Sequence, residues 1–206
     1  MLIIGAKGFA KQLFEEIPPE DHPRLTFYDE IHTDSHRLWK EFPILHAPAE
    51  AETYFEKVDD RFALGVGDPL LRQQLAERFR ALKGRLVNIV SEKASVSRYA
   101  TLGDAGICIL KGVIIEGDVS IGDGCLINLQ ATITHDCSIG RFTEISPGVR
   151  LSGGCTVGEF CRIGTGAVVL PKIKIGNSVV IGAGAVVTRD VPDNTRVVGV
   201  PARTKE

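Results

Sequence analysis

From residue 109 to residue 187 an aliphatic side chain returns at every sixth position: Ile109, Ile115, Ile121, Ile127, Ile133, Ile139, Ile145, Leu151, Val157, Ile163, Val169, Ile175, Ile181 and Val187. A helical period of 3.6 would drift off these positions within two turns, and a plain strand would place large apolar residues at every second position. Four residues after each aliphatic position stands something small or β-branched: Val113, Val119, Cys125, Ala131, Cys137, Thr143, Val149, Cys155, Cys161, Ala167, Ile173, Val179, Ala185 and Val191. Two inward positions in every six describe a chain that turns a corner each hexad and closes in three faces. The pattern therefore predicts a parallel β-solenoid, stacked coil on coil, over residues 91 to about 191. Gly122, Gly140, Gly158 and Gly176 recur every eighteen residues, as do Gly164 and Gly182, which is one turn of such a coil. Glycine fixed at one coil position calls for a backbone conformation or a close approach that a Cβ would hinder. The series runs back through Leu102 and Val96 with one extra residue near 104–106, read as a bulge or small loop.

Residues 1 to about 85 carry no hexad and alternate between strand and helix signals. Leu2 to Ile4 reads as a short strand, followed by Gly5-Ala6-Lys7-Gly8 and a helical run from Phe9 to about Ile17, closed by Pro18-Pro19. Residues 24–28 form a second strand that ends in Asp29-Glu30. The polar segment with His32, His36 and Trp39 carries no assignable pattern. Residues 62–66 form a third strand, leading through Gly67-Asp68 into a helix from about Pro69 to Lys83, with Asp68 as N-cap and Pro69 in the first turn. Strand, glycine turn, helix, strand and acidic end make a compact half of a Rossmann-like nucleotide fold. The amides where the helix opens after Gly5-x-x-Gly8 can meet a phosphate. Asp29 lies about twenty residues on, where a ribose hydroxyl needs an acceptor. The fingerprint's middle glycine is missing, so a purely structural βα turn stands as the alternative.

Composition narrows the function classes. Apolar content of 44% and charged content of 24% are those of an ordinary globular chain. A net charge of −2 gives no basic field to draw nucleic acid or an anionic membrane. No apolar run reaches membrane-spanning length, and the start lacks the basic region and apolar core of a signal peptide, so a cytoplasmic location is expected. Of the five cysteines, Cys125, Cys137, Cys155 and Cys161 all fall on the small inward position, where they fill tight corners as small hydrophobes. No CxxC pairing points to a metal.

One histidine of five lies in the repeats. His135 sits between inward Ile133 and inward Cys137, hence at a corner with its side chain outward. It is either an exposed turn residue or a general base, since imidazole titrates near neutrality and Asp136 follows at once. At a corner both side chains can lie on the same side, so Asp136 can hold the ring and raise its basicity. His22, His32, His36 and His46 read as surface residues. That leaves too few coil histidines for the zinc site of hexapeptide-fold carbonic anhydrases.

A small βαβ unit with Gly-Ala-Lys-Gly near its start, hexads carrying Thr134-His135-Asp136-Cys137-Ser138-Ile139-Gly140, and the terminal Val198-Gly199-Val200-Pro201-Ala202-Arg203 resemble the sialic-acid O-acetyltransferase family. Its close relatives are the nucleotide-linked 4-amino-sugar N-acetyltransferases of bacterial glycan and polysaccharide pathways, hexapeptide-repeat acyltransferases. The resemblance covers nearly the whole chain. It implies a Rossmann-like nucleotide-sugar-binding domain over residues 1–88 and a left-handed parallel β-helix with a C-terminal tail over residues 89–206. The implied reaction is direct transfer from acetyl-CoA to a sugar amine, with His135 as base, Asp136 as its orienting acid and no metal. Asn128 matches a position near the acceptor sugar. Thr165 and Ala183 match backbone contacts to the cofactor, and Glu144 replaces a second histidine of some relatives, which argues against a direct role for it. Lys7, Gly8, Phe9, Asp29, Glu30, Gly67 and Asp68 match the nucleotide-sugar site, although a solvated helix-start lysine is the plain role for Lys7. A homotrimer with active sites between adjacent solenoids is implied as well.

The expected function is N-acetylation of a nucleotide-linked 4-amino-4,6-dideoxy sugar. The nearest competitor is O-acetylation of a sugar or sialic acid on the same scaffold. A non-catalytic nucleotide-binding assembly protein is the reading from another class. A dehydrogenase fails on size, because about eighty-five residues make only half a dinucleotide fold.

Overall fold

The computed structural model describes residues 1–205. The chain divides into two compact units, Met1–Ile89 and a second unit from Val90 onward.

The first unit is built on β1 (Leu2–Ile4), α1 (Gly8–Phe14), β2 (Thr26–Tyr28), β3 (Arg37–Leu38), β4 (Phe42–Leu45), α2 (Pro48–Lys57), β5 (Arg61–Leu64), α3 (Pro69–Ala81) and β6 (Arg85–Leu86). Its six-stranded sheet has the order β3-β4-β2-β1-β5-β6. Pairing is parallel except between β3 and β4. Every residue of β1 and β2 is buried, which fits central parallel strands covered on both faces. The polar stretch after β2 resolves into the β3-β4 hairpin and α2, a helix that buries only Ala51, Tyr54 and Phe55. Helix α1 ends at Phe14, three residues short of the expected end. Residues Pro19–Arg24 form a 3-10 turn where the second strand was expected to begin.

Helix α3 begins as the sequence indicates. Asp68 Oδ1 accepts from the Leu71 amide at 3.0 Å and Pro69 occupies the first turn. On its inner face Arg72 is fully buried. Its Nη1 donates to the carbonyls of Leu64 and Val66, at 3.0 and 2.9 Å. Those bonds hold the loop that leaves β5, and that loop forms one wall of the cleft described below.

The second unit is the solenoid. Two-residue strands stack at eighteen-residue intervals, so that Ile109, Ile127, Ile145, Ile163 and Ile181 form one parallel ladder. Ile115, Ile133, Leu151, Val169 and Val187 form the second. Ile121, Ile139, Val157 and Ile175 form the third. The extra residue lies between Leu102 and Cys108, because Thr101 pairs with Ser120 nineteen positions on whereas Cys108 pairs with Leu126 eighteen on. All fourteen small inward positions are buried. The four inward cysteines do more than fill space. Each thiol lies 2.9 to 3.3 Å from a carbonyl fifteen residues on, as Thr143 Oγ1 lies 2.8 Å from that of Gly158. Burial pushes the Cys161 thiol up from its usual pKa, consistent with an inert packing group.

The recurring glycines answer to close approach. At Gly140 and Gly158 a Cβ would come within 2.6 Å of the backbone of the next coil. Left-handed backbone occurs two residues later in each corner. There φ lies between 53° and 74° at every hexad from Gly112 through Asp118, Gln130, Asp136 and Phe142 to Gly184. Glycine fills six of the thirteen positions from 112 to 184, and the other seven carry side chains as different as Asp118, Phe142 and Lys172, so glycine marks the corner only in part.

Candidate active site

His135 stands on a corner of the coil with its side chain 65% exposed. The next residue, Asp136, is the left-handed one, at φ 60°. Aspartate tolerates that conformation better than most residues. The resulting turn swings its carboxylate alongside the ring, and Asp136 Oδ2 lies 2.7 Å from His135 Nδ1. The hydrogen bond to Asp136 holds the imidazole pKa above its ordinary value, with the Glu116 charge adding to the effect. An acceptor at Nδ1 places the proton there in the neutral ring and leaves Nε2 as the basic nitrogen.

The coils on either side fix this histidine. From the preceding coil, Glu116 Oε2 accepts the His135 backbone amide at 3.0 Å. In the following coil Gly153 lies against the ring, where a Cβ would fall 2.5 Å from Cε1 and 2.7 Å from Nε2. The Gly154 amide bonds the His135 carbonyl at 3.0 Å. Glu116 and Gly153 were not among the residues read from sequence. The Gly153-Gly154 pair eighteen residues after His135-Asp136 was the available signal.

The preceding corner of the coil carries Asn128, Thr165 and Ala183. Asn128 is buried, and its Oδ1 accepts from the Leu129 amide at 2.8 Å. Thr165 and Ala183 are exposed, eighteen residues apart in one column. Among the described residues no acceptor meets either amide, whereas their carbonyl and glycine neighbours complete the ladder, as in the 2.8 Å bond from Gly184 N to Thr165 O. Exposed residues whose amides meet no acceptor leave donors that carbonyl or phosphate oxygens can use. Glu144 is engaged by the protein: Arg162 Nε lies 3.1 Å from its Oε2, and Ser146 Oγ lies 3.3 Å from its Oε1.

In the first unit, the crevice beyond the carboxyl ends of β1, β2 and β5 forms a cleft of about 350 Å³. Lys7, Gly8, Phe9, Asp29, Glu30 and Gly67 all line it, and Asp68 does not. It opens where the chain direction across the sheet reverses about β1, the usual place for a ligand in an open α/β sheet. Gly5, at φ 114°, passes so near β5 that a Cβ would meet the Gly65 carbonyl oxygen at 2.9 Å. At Gly8 a Cβ would meet nothing within 4 Å.

The two acids of the cleft are already engaged. Asp29 is 8% exposed, and its Oδ1 accepts from the amides of Ile31 and His32, both at 3.0 Å. Its Oδ2 lies 3.1 Å from His32 Nδ1. Burial opposes its charge, but these bonds outweigh that cost and hold the carboxyl below the usual range. Glu30 takes a bidentate pair from Arg78, at 2.5 and 2.7 Å, with the Tyr28 hydroxyl at 2.8 Å. The Arg78 bonds lower its pKa. His32, read from sequence as a surface residue, lines the cleft; His46 turns inward and bonds the Asp29 carbonyl. His22 stacks on Phe14 at 4.6 Å, inside the unit's aromatic cluster. Among the described residues no cluster of three or more His, Cys, Asp or Glu could hold a metal, and no helix is long and apolar enough to cross a membrane.

The family described as "Bacterial transferase hexapeptide (six repeats)" matches residues 154–189. No curated protein matches the chain. Among solved structures, a histidine-to-asparagine variant of perosamine N-acetyltransferase from Caulobacter crescentus, in complex with CoA and GDP-perosamine, is 33% identical. The match covers 100% of this chain and 96% of that one, with a TM-score of 0.90. The acetyltransferase domain of PglB from Neisseria gonorrhoeae, in complex with acetyl coenzyme A, is 29% identical over 99% of this chain and 98% of that one, with a TM-score of 0.86. WeeI from Acinetobacter baumannii, at 22% identity, 99% and 98% coverage and a TM-score of 0.80, shares the fold. With hexads in register along the solenoid and a likeness that spans the whole chain, the protein belongs to the hexapeptide-repeat sugar acyltransferases and is an acetyl-CoA-dependent acyltransferase.

Proposed function

We propose that this chain N-acetylates the 4-amino group of a nucleotide-linked 4-amino-4,6-dideoxy sugar by direct transfer, in bacterial glycan or polysaccharide biosynthesis. The observation that carries the reading is the His135-Asp136 pair: Nδ1 anchored at 2.7 Å, Nε2 left basic, and the ring exposed at a corner. Whole-chain likeness to a protein solved with CoA and GDP-perosamine supports the substrate class.

In this mechanism acetyl-CoA supplies the activated acyl group. The free amine attacks the thioester carbonyl carbon and forms the new C–N bond. His135 Nε2 takes the proton lost by the amine as the tetrahedral centre forms. Collapse breaks the C–S bond, and the thiolate leaves with that proton. Asp136 holds the ring tautomer and stabilises the imidazolium. Asn128 serves the acceptor sugar from the neighbouring corner, while the Thr165 and Ala183 amides hold the cofactor.

The first unit, read as a Rossmann-like half, holds the nucleotide in its cleft. Lys7 adds charge near the phosphates, and the open space over Gly8 lets them approach the backbone. Phe9 and Gly67 line the apolar wall. Asp29 shapes the Ile31-His32 rim of the cleft, with Oδ2 the carboxylate atom that has capacity left for a ribose hydroxyl. Glu30, fixed by Arg78, closes the same edge, and Asp68 acts through the α3 N-terminus.

The His135 corner and the Thr165-Ala183 corner are separate edges of one coil. A left-handed solenoid assembled as a homotrimer brings unlike corners of adjacent copies together, and the proposed sites lie there. The protein is read as cytoplasmic.

The test follows CoA thiol release from acetyl-CoA against UDP-, GDP- and dTDP-linked 4-amino sugars, with His135→Ala beside the wild type. Release with one amino sugar, falling by about 10²- to 10⁴-fold in the variant, is expected. Release with hydroxyl sugars alone overturns the amine assignment in favour of O-acetylation. Full activity of His135→Ala removes the base.

A further inference from the structure

Each corner of the solenoid has a turn amide that the ladder does not reach, and the protein treats these amides differently. At the third corner the side chain of the following coil caps two of them: Asn177 Oδ1 accepts from Glu159 N at 2.9 Å, and Asp193 Oδ1 from Asn177 N at 2.8 Å. At Thr165 and Ala183 they stay open. At His135 the cap comes from the opposite direction, since Glu116 of the preceding coil reaches forward to the amide at 3.0 Å. Glu116 has an exposed carboxylate that needs no internal partner for its own burial. Among the described residues that carboxylate makes one hydrogen bond, from the His135 amide, and it fixes the peptide that carries the imidazole.

We infer that Glu116 is a positioning residue for His135: it pins the His135 peptide against the preceding coil while Gly153 seats the ring on the following one. The inference rests on the proposed role of His135 as the base. Charge and geometry act together here. A carboxylate accepts from an amide about twice as strongly as a neutral group does. Its negative charge also favours the imidazolium that forms when His135 takes the proton, acting beside Asp136, the other charged group facing the ring. The bond draws on a backbone amide, so it constrains where the ring starts, whereas Asp136 constrains which way the ring faces.

The test compares Glu116→Gln, which keeps an acceptor and drops the charge, with Glu116→Ala, which loses both. Readouts are kcat and KM across pH and the NMR titration of the His135 Cε1 proton. In Glu116→Ala the expected result is a kcat loss of about tenfold with the KM for acetyl-CoA unchanged, the size of effect expected for a base moved off its line. Glu116→Gln is expected to recover most of that loss. In both variants the His135 titration moves to lower pH at low salt and by less at high salt, as for any pair of exposed charges. An unchanged His135 titration in both variants, or an Ala variant with wild-type kcat, overturns the inference. A loss of kcat that Gln does not recover, accompanied by a lowered melting temperature, also overturns it, because that is the mark of a structural residue. The NMR titration reads the coupling without catalysis, so failure of the base assignment, seen as full activity in His135→Ala, remains a separate outcome.

Discussion

At the scale of single residues, the site depends on a left-handed turn that places Asp136 beside the imidazole of the residue before it. The proposed base works only when neutral, so kcat/KM is expected to fall as pH drops through a His135 pKa raised above its ordinary value. Asp136→Asn keeps a hydrogen-bond acceptor but removes the charge that raises this pKa. The acid limb of the pH profile is therefore expected to move to lower pH, with a plateau lowered by about tenfold because a weaker base transfers the proton less well. An unmoved acid limb in that variant would assign the limb to the sugar amine. Gly153 offers a second check on ring placement. Gly153→Ala puts a methyl group where Cε1 and Nε2 now lie against the coil, so the ring must turn away. The expected outcome is a loss of kcat comparable to that of His135→Ala with circular dichroism unchanged. Wild-type kcat would mean the ring is free to work elsewhere.

Elements explain what the sequence disclosed and what it hid. The solenoid was legible because each hexad repeats two inward positions, and stacking at eighteen residues turns a local pattern into a global register. The α3 start was legible because Asp68-Pro69 is a local signal that needs no tertiary context. The β3-β4 hairpin and α2 were not, since β3 has two residues and α2 buries three, too few to print a period. At the site, His135 and Asp136 are neighbours in sequence and could be paired from it. Glu116 and Gly153 reach His135 only through coil stacking, and the engagement of Asp29 by Ile31 and His32 depends on a turn that no motif announces. The same contrast separates two substitutions in the first unit. Asp68→Ala removes the α3 N-cap and is expected to cost about 1 kcal/mol of stability in denaturant unfolding. Gly8→Ala meets nothing in the protein and improves helix propensity, so stability holds or rises. It places a methyl group in the cleft, however, and the KM for the nucleotide sugar is expected to rise several-fold with the KM for acetyl-CoA unmoved. If neither KM moves, the phosphates do not approach that turn.

At the scale of the whole molecule, the proposed base and the amides proposed for the cofactor stand on different corners of one chain, so the proposed site calls for a second copy. This is testable without a view of the assembly. Ala183→Pro deletes the amide assigned to the cofactor, and the fold tolerates proline there because Pro147 occupies the equivalent corner position thirty-six residues earlier, likewise just before a left-handed residue. Proline also suits the position before a left-handed residue in a tight turn. His135→Ala and Ala183→Pro are each expected to lose most activity alone, the first in kcat and the second in the KM for acetyl-CoA. If every site joins the His135 corner of one copy to the Ala183 corner of its neighbour, random co-assembly of equal amounts gives about one site in four with both corners intact. Activity of co-expressed chains should then recover to roughly a quarter of the wild-type value, while the same two variants mixed after separate purification stay silent until the subunits exchange. Were each site built within one chain, no mixture could restore it, because every chain would carry one defect. Recovery near a quarter therefore separates a site shared between copies from one held by a single solenoid.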